Sequence, residues 1–110
     1  MKQREIWLMN LNPTKGSEQA GFRPAVIVSG DLMNKYLNVV IVCPITSKVK
    51  SYKGNVVLKP NKKNGLKKKS EVLNFHVRSI AKERLVKKVG QISEEELQET
   101  KKGLNELLDF

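Results

Sequence analysis

The sequence predicts a mainly β fold: a compact antiparallel barrel closed by one C-terminal helix, with short helical turns between strands. Three observations carry this. β-Branched apolar runs at residues 25–29 and 39–45 are bounded by Gly30 and Pro44, the pattern of buried strands. Lysine-, glycine- and asparagine-rich turns separate them from further short apolar segments. Near the end, Ser93-Glu94-Glu95-Glu96 forms a capping box ahead of a leucine-bearing stretch.

Each element has a local reason. Residues 5–11 (Glu-Ile-Trp-Leu-Met-Asn-Leu) form a short apolar strand that Asn12-Pro13-Thr14 turns. After the strand at 25–29, residues 31–36 suit a helical turn before the run at 39–45. Residues 55–58 follow Gly54 and stop at Pro60; residues 71–80 and 86–92 complete about six strands. Three glutamates in the first turn of the terminal helix suit the positive end of its dipole. Leu97, Leu104 and Leu108 fall on one face of that helix, with Leu107 beside them. Gly103 costs about 1 kcal/mol against alanine in a helix interior, so packing rather than propensity must hold the helix.

Length and composition bound the function classes. The 110 residues have room for one domain with a modest core. No apolar run approaches a membrane span, and the first residues, Met1-Lys2-Gln3-Arg4-Glu5, lack the apolar stretch of a signal peptide. The single cysteine, Cys43, lies in the run 39–45 without a partner and reads as a core thiol. A cytoplasmic protein without disulfides is the expectation. No cluster of His, Cys, Asp and Glu has metal-ligand spacing, so no metal or other cofactor is expected.

The net charge of +10 is concentrated. Between Leu32 and Ser70 there is no Asp or Glu, and ten lysines stand there: 35, 48, 50, 53, 59, 62, 63, 67, 68 and 69. Outside that span basic and acidic residues cancel. One-sided lysine clustering is the electrostatic footprint of a polyanion binder, with RNA or DNA the leading partner. For residues 62–69, a merely solvated loop competes with that reading. Lys48 and Lys50, in the loop 47–53, suit phosphate contact rather than sequence reading, because lysine reads charge and not base identity.

One arginine is singled out by its context. Gly16-Ser17-Glu18-Gln19-Ala20-Gly21-Phe22-Arg23-Pro24 runs directly into the apolar strand. Pro24 fixes its own φ and restricts Arg23 to extended backbone, so a polar glycine-flanked loop delivers a positioned guanidinium at the mouth of a strand. Such a group suits an anion.

These residues carry a resemblance. The block 16–25, Pro44-Ile45-Thr46-Ser47, Val77-Arg78-Ser79-Ile80 and Ser93-Glu94-Glu95-Glu96-Leu97 resemble, in order and over nearly the whole chain, the signatures of the MazF/PemK family. That family comprises toxin endoribonucleases of bacterial toxin–antitoxin systems. The resemblance implies an SH3-like barrel, related to that of the CcdB proteins, working as a homodimer. It implies metal-independent cleavage of single-stranded RNA at short motifs and inhibition by a small antitoxin, which the lysine-rich face leads us to expect is acidic. It places the catalytic residues on Arg23 and Thr46, and RNA contacts on the loop bearing Ser17, Glu18 and Gln19. Further RNA contacts fall on the segment with Asn74, His76 and Arg78. The sequence departs from the family where many members carry an acidic residue and glutamine; here stand Phe75 and His76.

The chemistry is consistent with the residue types. Arg23 matches two phosphate oxygens with its planar fork, and Thr46 can donate one hydrogen bond more. Arginine is an awkward proton acceptor. His76, the only histidine, is a candidate base by its ordinary pKa near ~6.5; a surface or subunit-contact histidine is the competing reading. Strand alternation would put Asn74, His76 and Arg78 on one face and Phe75 on the other, in the core or an interface. Two other functions stay open: a non-catalytic nucleic-acid-binding module, and a CcdB-like gyrase-poisoning toxin.

Overall fold

The computed structural model describes residues 1–11 and 21–109. Seven strands form a curled antiparallel sheet, a half-barrel, with a helix at the C-terminal end. In chain order they are β1 (Glu5–Asn10), β2 (Phe22–Ile27), the short helix α1 (Asp31–Tyr36), β3 (Val39–Thr46), β4 (Val56–Leu58), β5 (Ser70–Val72), β6 (Arg78–Ala81), β7 (Leu85–Gln91) and α2 (Glu94–Asp109). Single 3₁₀ turns at Asn74–His76 and Lys82–Arg84 bracket β6. The sheet runs β4-β5-β3-β2-β1-β7, with β6 also paired to β3. No helix among the described residues is long and apolar enough to cross a membrane.

β3 is the organising strand. Its residues 39–42 pair with β6 and residues 45–46 with β5, both on one edge, while residues 42–44 pair with β2 on the other. Its fully buried Val40, Val42 and Cys43 and nearly buried Ile45 feed both halves of the core. Burial also pushes the Cys43 thiol up to about 12, leaving it a protonated core group without nucleophilic character.

Three expectations are corrected. The strand expected over 71–80 is broken at residues 74–76, where the chain makes a 3₁₀ turn between β5 and β6. Asn74 therefore does not share a polar strand face with His76 and Arg78. It is 1% exposed, and its amide nitrogen donates to Gly54 O at 2.8 Å and Thr100 O at 3.4 Å. Phe75 is not in the core either, being half-exposed. Finally, Leu108 is 85% exposed and Leu107 47% exposed: the packed stripe of α2 is Leu97, Thr100 and Gly103, with Leu104 at its margin.

Gly103 explains its own place in a helix. A Cβ there would lie 2.1 Å from Gly54 O and 2.3 Å from Asn74 Nδ2, so only glycine lets α2 approach the turn below it. The cap is as expected: Ser93 N donates to Glu96 Oε1 at 2.8 Å and Glu96 N to Ser93 Oγ at 3.1 Å.

Candidate active site

The site arises where two strands part. β2 begins at Phe22, so Arg23 and Pro24 lie inside the strand rather than on the loop before it; Arg23 is opposite Met9 and Pro24 opposite Leu8. On the other side, pairing with β3 starts only at Ala25 opposite Pro44. Proline tolerates such a half-paired position because it has no N–H to satisfy. Beyond Pro44, Ile45 and Thr46 pair instead with Val72 and Glu71 of β5. The start of β2 and the end of β3 thus diverge, and a cleft of about 410 Å³ opens between them.

The cleft is lined by Arg23, Pro24, Ile45, Thr46, Ser47, Lys48, Leu66, Lys67, Lys68 and Ser70. The two residues expected to be catalytic, Arg23 and Thr46, are brought together here, with three lysines around them and no acid among these lining residues. Thr46 is half-buried, and its Oγ accepts from Lys48 N at 3.1 Å. That bond occupies an acceptor lone pair and leaves the hydroxyl proton free to donate into the cleft.

Two basic segments wall the cleft, and both are built rather than loose. One is the turn 59–69. Asn64, 1% exposed, accepts at Oδ1 from Asn61 N (3.1 Å) and Leu66 N (2.9 Å), and its Nδ2 donates to Lys59 O (2.8 Å). Asn61 Oδ1 accepts in return from Lys63 N and Asn64 N. Gly65, at φ +67°, brings its backbone against Val89, and Gln91 N donates to Lys63 O at 2.9 Å, docking the turn on β7. The reading of residues 62–69 as a merely solvated loop is thereby replaced by a fixed lysine-bearing turn.

The other wall, residues 47–55, is held by a group that sequence reasoning missed. Glu71 is 0% exposed. Its Oε1 accepts from Lys50 N (2.8 Å) and Ser51 N (3.0 Å), and its Oε2 from Tyr52 N and Asn55 Nδ2 (both 2.9 Å). Burial alone would raise its pKa; the hydrogen bonds from Asn55, Lys50, Ser51 and Tyr52 outweigh this and hold the carboxyl below the usual carboxylate range. The available signal was a lone acid directly before the apolar pair Val72-Leu73 and directly after a long acid-free span.

The remaining expected residues are dispersed. Lys50 is exposed on the second wall, outside the cleft lining. His76 is exposed on the 3₁₀ turn, also outside that lining. Arg78 is partly buried and its Nη1 donates to Leu11 O at 3.0 Å, which ties down the end of β1. Ser17, Glu18 and Gln19 lie outside the described residues. Among the described residues, no three of His, Cys, Asp or Glu gather as ligands for a metal ion.

Fold and site together define a class: a small basic half-barrel whose parted strands hold an arginine and a hydroxyl for an oxyanion. Comparison with known proteins makes the class particular. The profile of the family described as PemK-like, MazF-like toxin of type II toxin–antitoxin system matches residues 2–108. The chain is 34% identical over 106 residues to a protein named endoribonuclease MazF from Staphylococcus saprophyticus, covering 96% of this chain and 88% of that one. Its fold superposes on MazF from Deinococcus radiodurans with a TM-score of 0.81 at 29% identity, covering 100% and 97% of the two chains. A structure of MazE–MazF from the same organism gives 0.82 at 29% identity, covering 100% of this chain and 96% of that one. The chain belongs to the PemK/MazF toxin family.

Proposed function

We propose that this protein is a metal-independent endoribonuclease that cuts single-stranded RNA at short sequence motifs, and acts as the growth-inhibiting toxin of a toxin–antitoxin pair. The observation that carries the reading is the cleft at the β2–β3 divergence, which gathers Arg23 and Thr46 between lysine walls. The name of the staphylococcal relative and the antitoxin-bound form of a structural neighbour support it.

In this reading the ribose 2′-hydroxyl attacks the adjacent phosphorus and the 5′-oxygen leaves with a proton. Arg23 grips two non-bridging oxygens and Thr46 donates to one of them, so both meet charge that grows in the transition state. Lys48, Lys67 and Lys68 supply the surrounding positive potential and Lys50 a more distant phosphate contact. Arg23 also suits protonation of the leaving oxygen, but neither it nor the hydroxyl and lysines around it is a ready base. His76 is the candidate for that step and must reach the cleft from its turn; Ser17, Glu18 and Gln19 are the candidates for covering the groove. Arg78 acts by anchoring Leu11, where the chain leaves β1 towards that loop. A homodimer and an acidic antitoxin complete the proposal.

The test is incubation of the purified protein with a long single-stranded RNA in EDTA, with the 5′ ends of the products sequenced. Cleavage at a recurring motif that Arg23→Ala abolishes supports the enzyme. Binding without cleavage supports a non-catalytic module, and inhibition of gyrase without either supports a gyrase poison. His76→Gln decides the base: an unchanged rate and pH profile removes His76 from the chemistry.

A further inference from the structure

The loop 47–55, one end of which lines the cleft, and the turn 74–76 bring three rings to the surface. Tyr52 and Phe75 are each 50% exposed, and their rings meet edge to face with centroids 5.6 Å apart at 85°. Phe75 in turn lies against the exposed imidazole of His76, at 4.7 Å and a tilt of 46°. With aromatic residues only 5% of the chain, no such grouping is visible in the sequence.

The rings are held in place by buried polar groups. Tyr52 N and Asn55 Nδ2 both donate to Glu71 Oε2, and Asn55 Oδ1 accepts from Asn74 N at 3.1 Å. The loop bearing Tyr52 and the turn bearing Phe75 and His76 are therefore clamped to one carboxylate–amide chain. Placing three rings in water on rigid backbone is costly unless something covers them.

The surrounding charge says what covers them. The loop that carries Tyr52 also carries Lys48, Lys50 and Lys53, all exposed. Glu71 beneath it is buried with its charge spent on four N–H donors, and the acid facing the patch from α2 is Glu106, which borders the pocket behind Phe75 together with Lys53. Ring faces rimmed by cations match single-stranded nucleic acid, whose phosphates meet the lysines while its bases stack. An edge-to-face pair also leaves the face of one ring uncovered by the other.

We propose that Tyr52 and Phe75, the pair held edge to face, form a base-stacking platform for single-stranded RNA, taking bases that flank the phosphate held at Arg23 and Thr46. This rests on the endoribonuclease reading above and adds a subsite to it. The loop 47–55 joins the two: Lys48 lines the cleft at one end, and Tyr52 faces Phe75 further along. Stacking tolerates any base, so the platform contributes affinity and strand direction rather than motif identity.

The experiment uses a 12-nucleotide 2′-O-methyl RNA of mixed sequence, which cannot be cleaved through its 2′ positions, and its abasic counterpart. Both are titrated against the full-length protein over a range of salt. The platform predicts at least about tenfold tighter binding of the base-bearing strand. Tyr52→Ala and Phe75→Ala each shrink that ratio about five- to tenfold and leave the salt slope unchanged, while Tyr52→Phe keeps the ratio. Thermal unfolding confirms that each variant is folded, and Tyr52→Leu repeats the test with an apolar side chain of ring-free shape. An unchanged ratio in folded Tyr52→Leu and Phe75→Ala overturns the platform while RNA binding stands. Failure of the native protein to bind either strand overturns the RNA reading with it. Loss of self-association in the ring variants, with the ratio unchanged, reassigns the patch to a subunit contact and also overturns the proposal.

Discussion

The two walls of the cleft have nearly the same composition and are built on different physics. Residues 59–69 and residues 47–55 are both lysine-rich and free of acids. The first is fixed by neutral amides, Asn61 and Asn64, and by glycine-permitted docking on β7. The second is fixed by one ionised carboxylate, Glu71, whose four acceptor bonds gather backbone and side-chain donors from residues 50–55. A basic wall held by amides keeps its shape whatever its charge state. A basic wall held by a buried anion has tied its shape to ionisation.

Glu71→Gln breaks the comparison most sharply. A glutamine presents one oxygen where two are needed, and its amide nitrogen would face either Tyr52 N–H and the Asn55 amide or Lys50 N–H and Ser51 N–H, donor against donor. Removing the charge and stranding two buried donors costs about 2–4 kcal/mol. The expected result is that loss in denaturant unfolding, with new protease sensitivity at residues 47–55 and not at 59–69. A loss under about 0.5 kcal/mol would show the wall to stand without the anion. On the amide side, Gly90→Ala places a Cβ 2.4 Å from Lys63 O and 2.5 Å from Asn64 O, both backbone atoms. The expected cost is about 2 kcal/mol, comparable to overpacking a core, with the cleavage pattern reversed between the walls.

How much of this was legible in the sequence follows from how local each feature is. Val39 to Ile45 and the Ser93–Glu96 cap depend on neighbours in the chain, and both stand as expected. Arg23 and Thr46 were legible as residues, through the loop chemistry and the family blocks, but their meeting place depends on where β2–β3 pairing stops. The break at 74–76 was hidden because Leu73, Phe75 and Val77 alternate with polar residues just as a strand would. Glu71 gains its meaning only when residues 50–55 fold back over it, a contact that no periodicity encodes. Leu108 continues the helical spacing of Leu97 and Leu104 yet stands 85% exposed, because spacing alone does not encode where the packing against α2 stops.

Acid should separate the walls without any mutation. The Glu71 carboxyl is held low in the folded state, so the stability it adds is complete above the ordinary carboxylate value of about 4.3 and is lost as pH falls through its lowered folded value. Amide protection factors at Lys50, Ser51 and Tyr52 should fall over that range, while those at Lys63, Asn64 and Leu66 hold. Glu5, at the other end of the molecule's acid-sensitive ties, is also held low. Burial would raise its pKa, but hydrogen bonds from Trp7 and Lys2 and the Lys88 ion pair bring it to about 2, so the N-terminal edge of the sheet stays tied until near that pH. Equal loss of protection in both walls as the pH falls would mean global unfolding and remove the distinction.

The smallest effect tests whether wall geometry reaches RNA. Lys48 stands on the carboxylate-held wall and Lys67 on the amide-held one, and both line the cleft. If each contacts one phosphate, Lys48→Ala and Lys67→Ala should each reduce the salt slope of single-stranded RNA binding by about 0.7. In the Glu71→Gln background the two diverge. Lys48 has lost its fixed position, so its removal should change the slope little further, while Lys67→Ala should still subtract about 0.7. This double-mutant comparison isolates coupling from overall stability, because both variants share the same weakened wall. Equal effects of the two lysines in both backgrounds would make the potential of the cleft a matter of charge count alone, and the anchoring carboxylate irrelevant to how RNA is held.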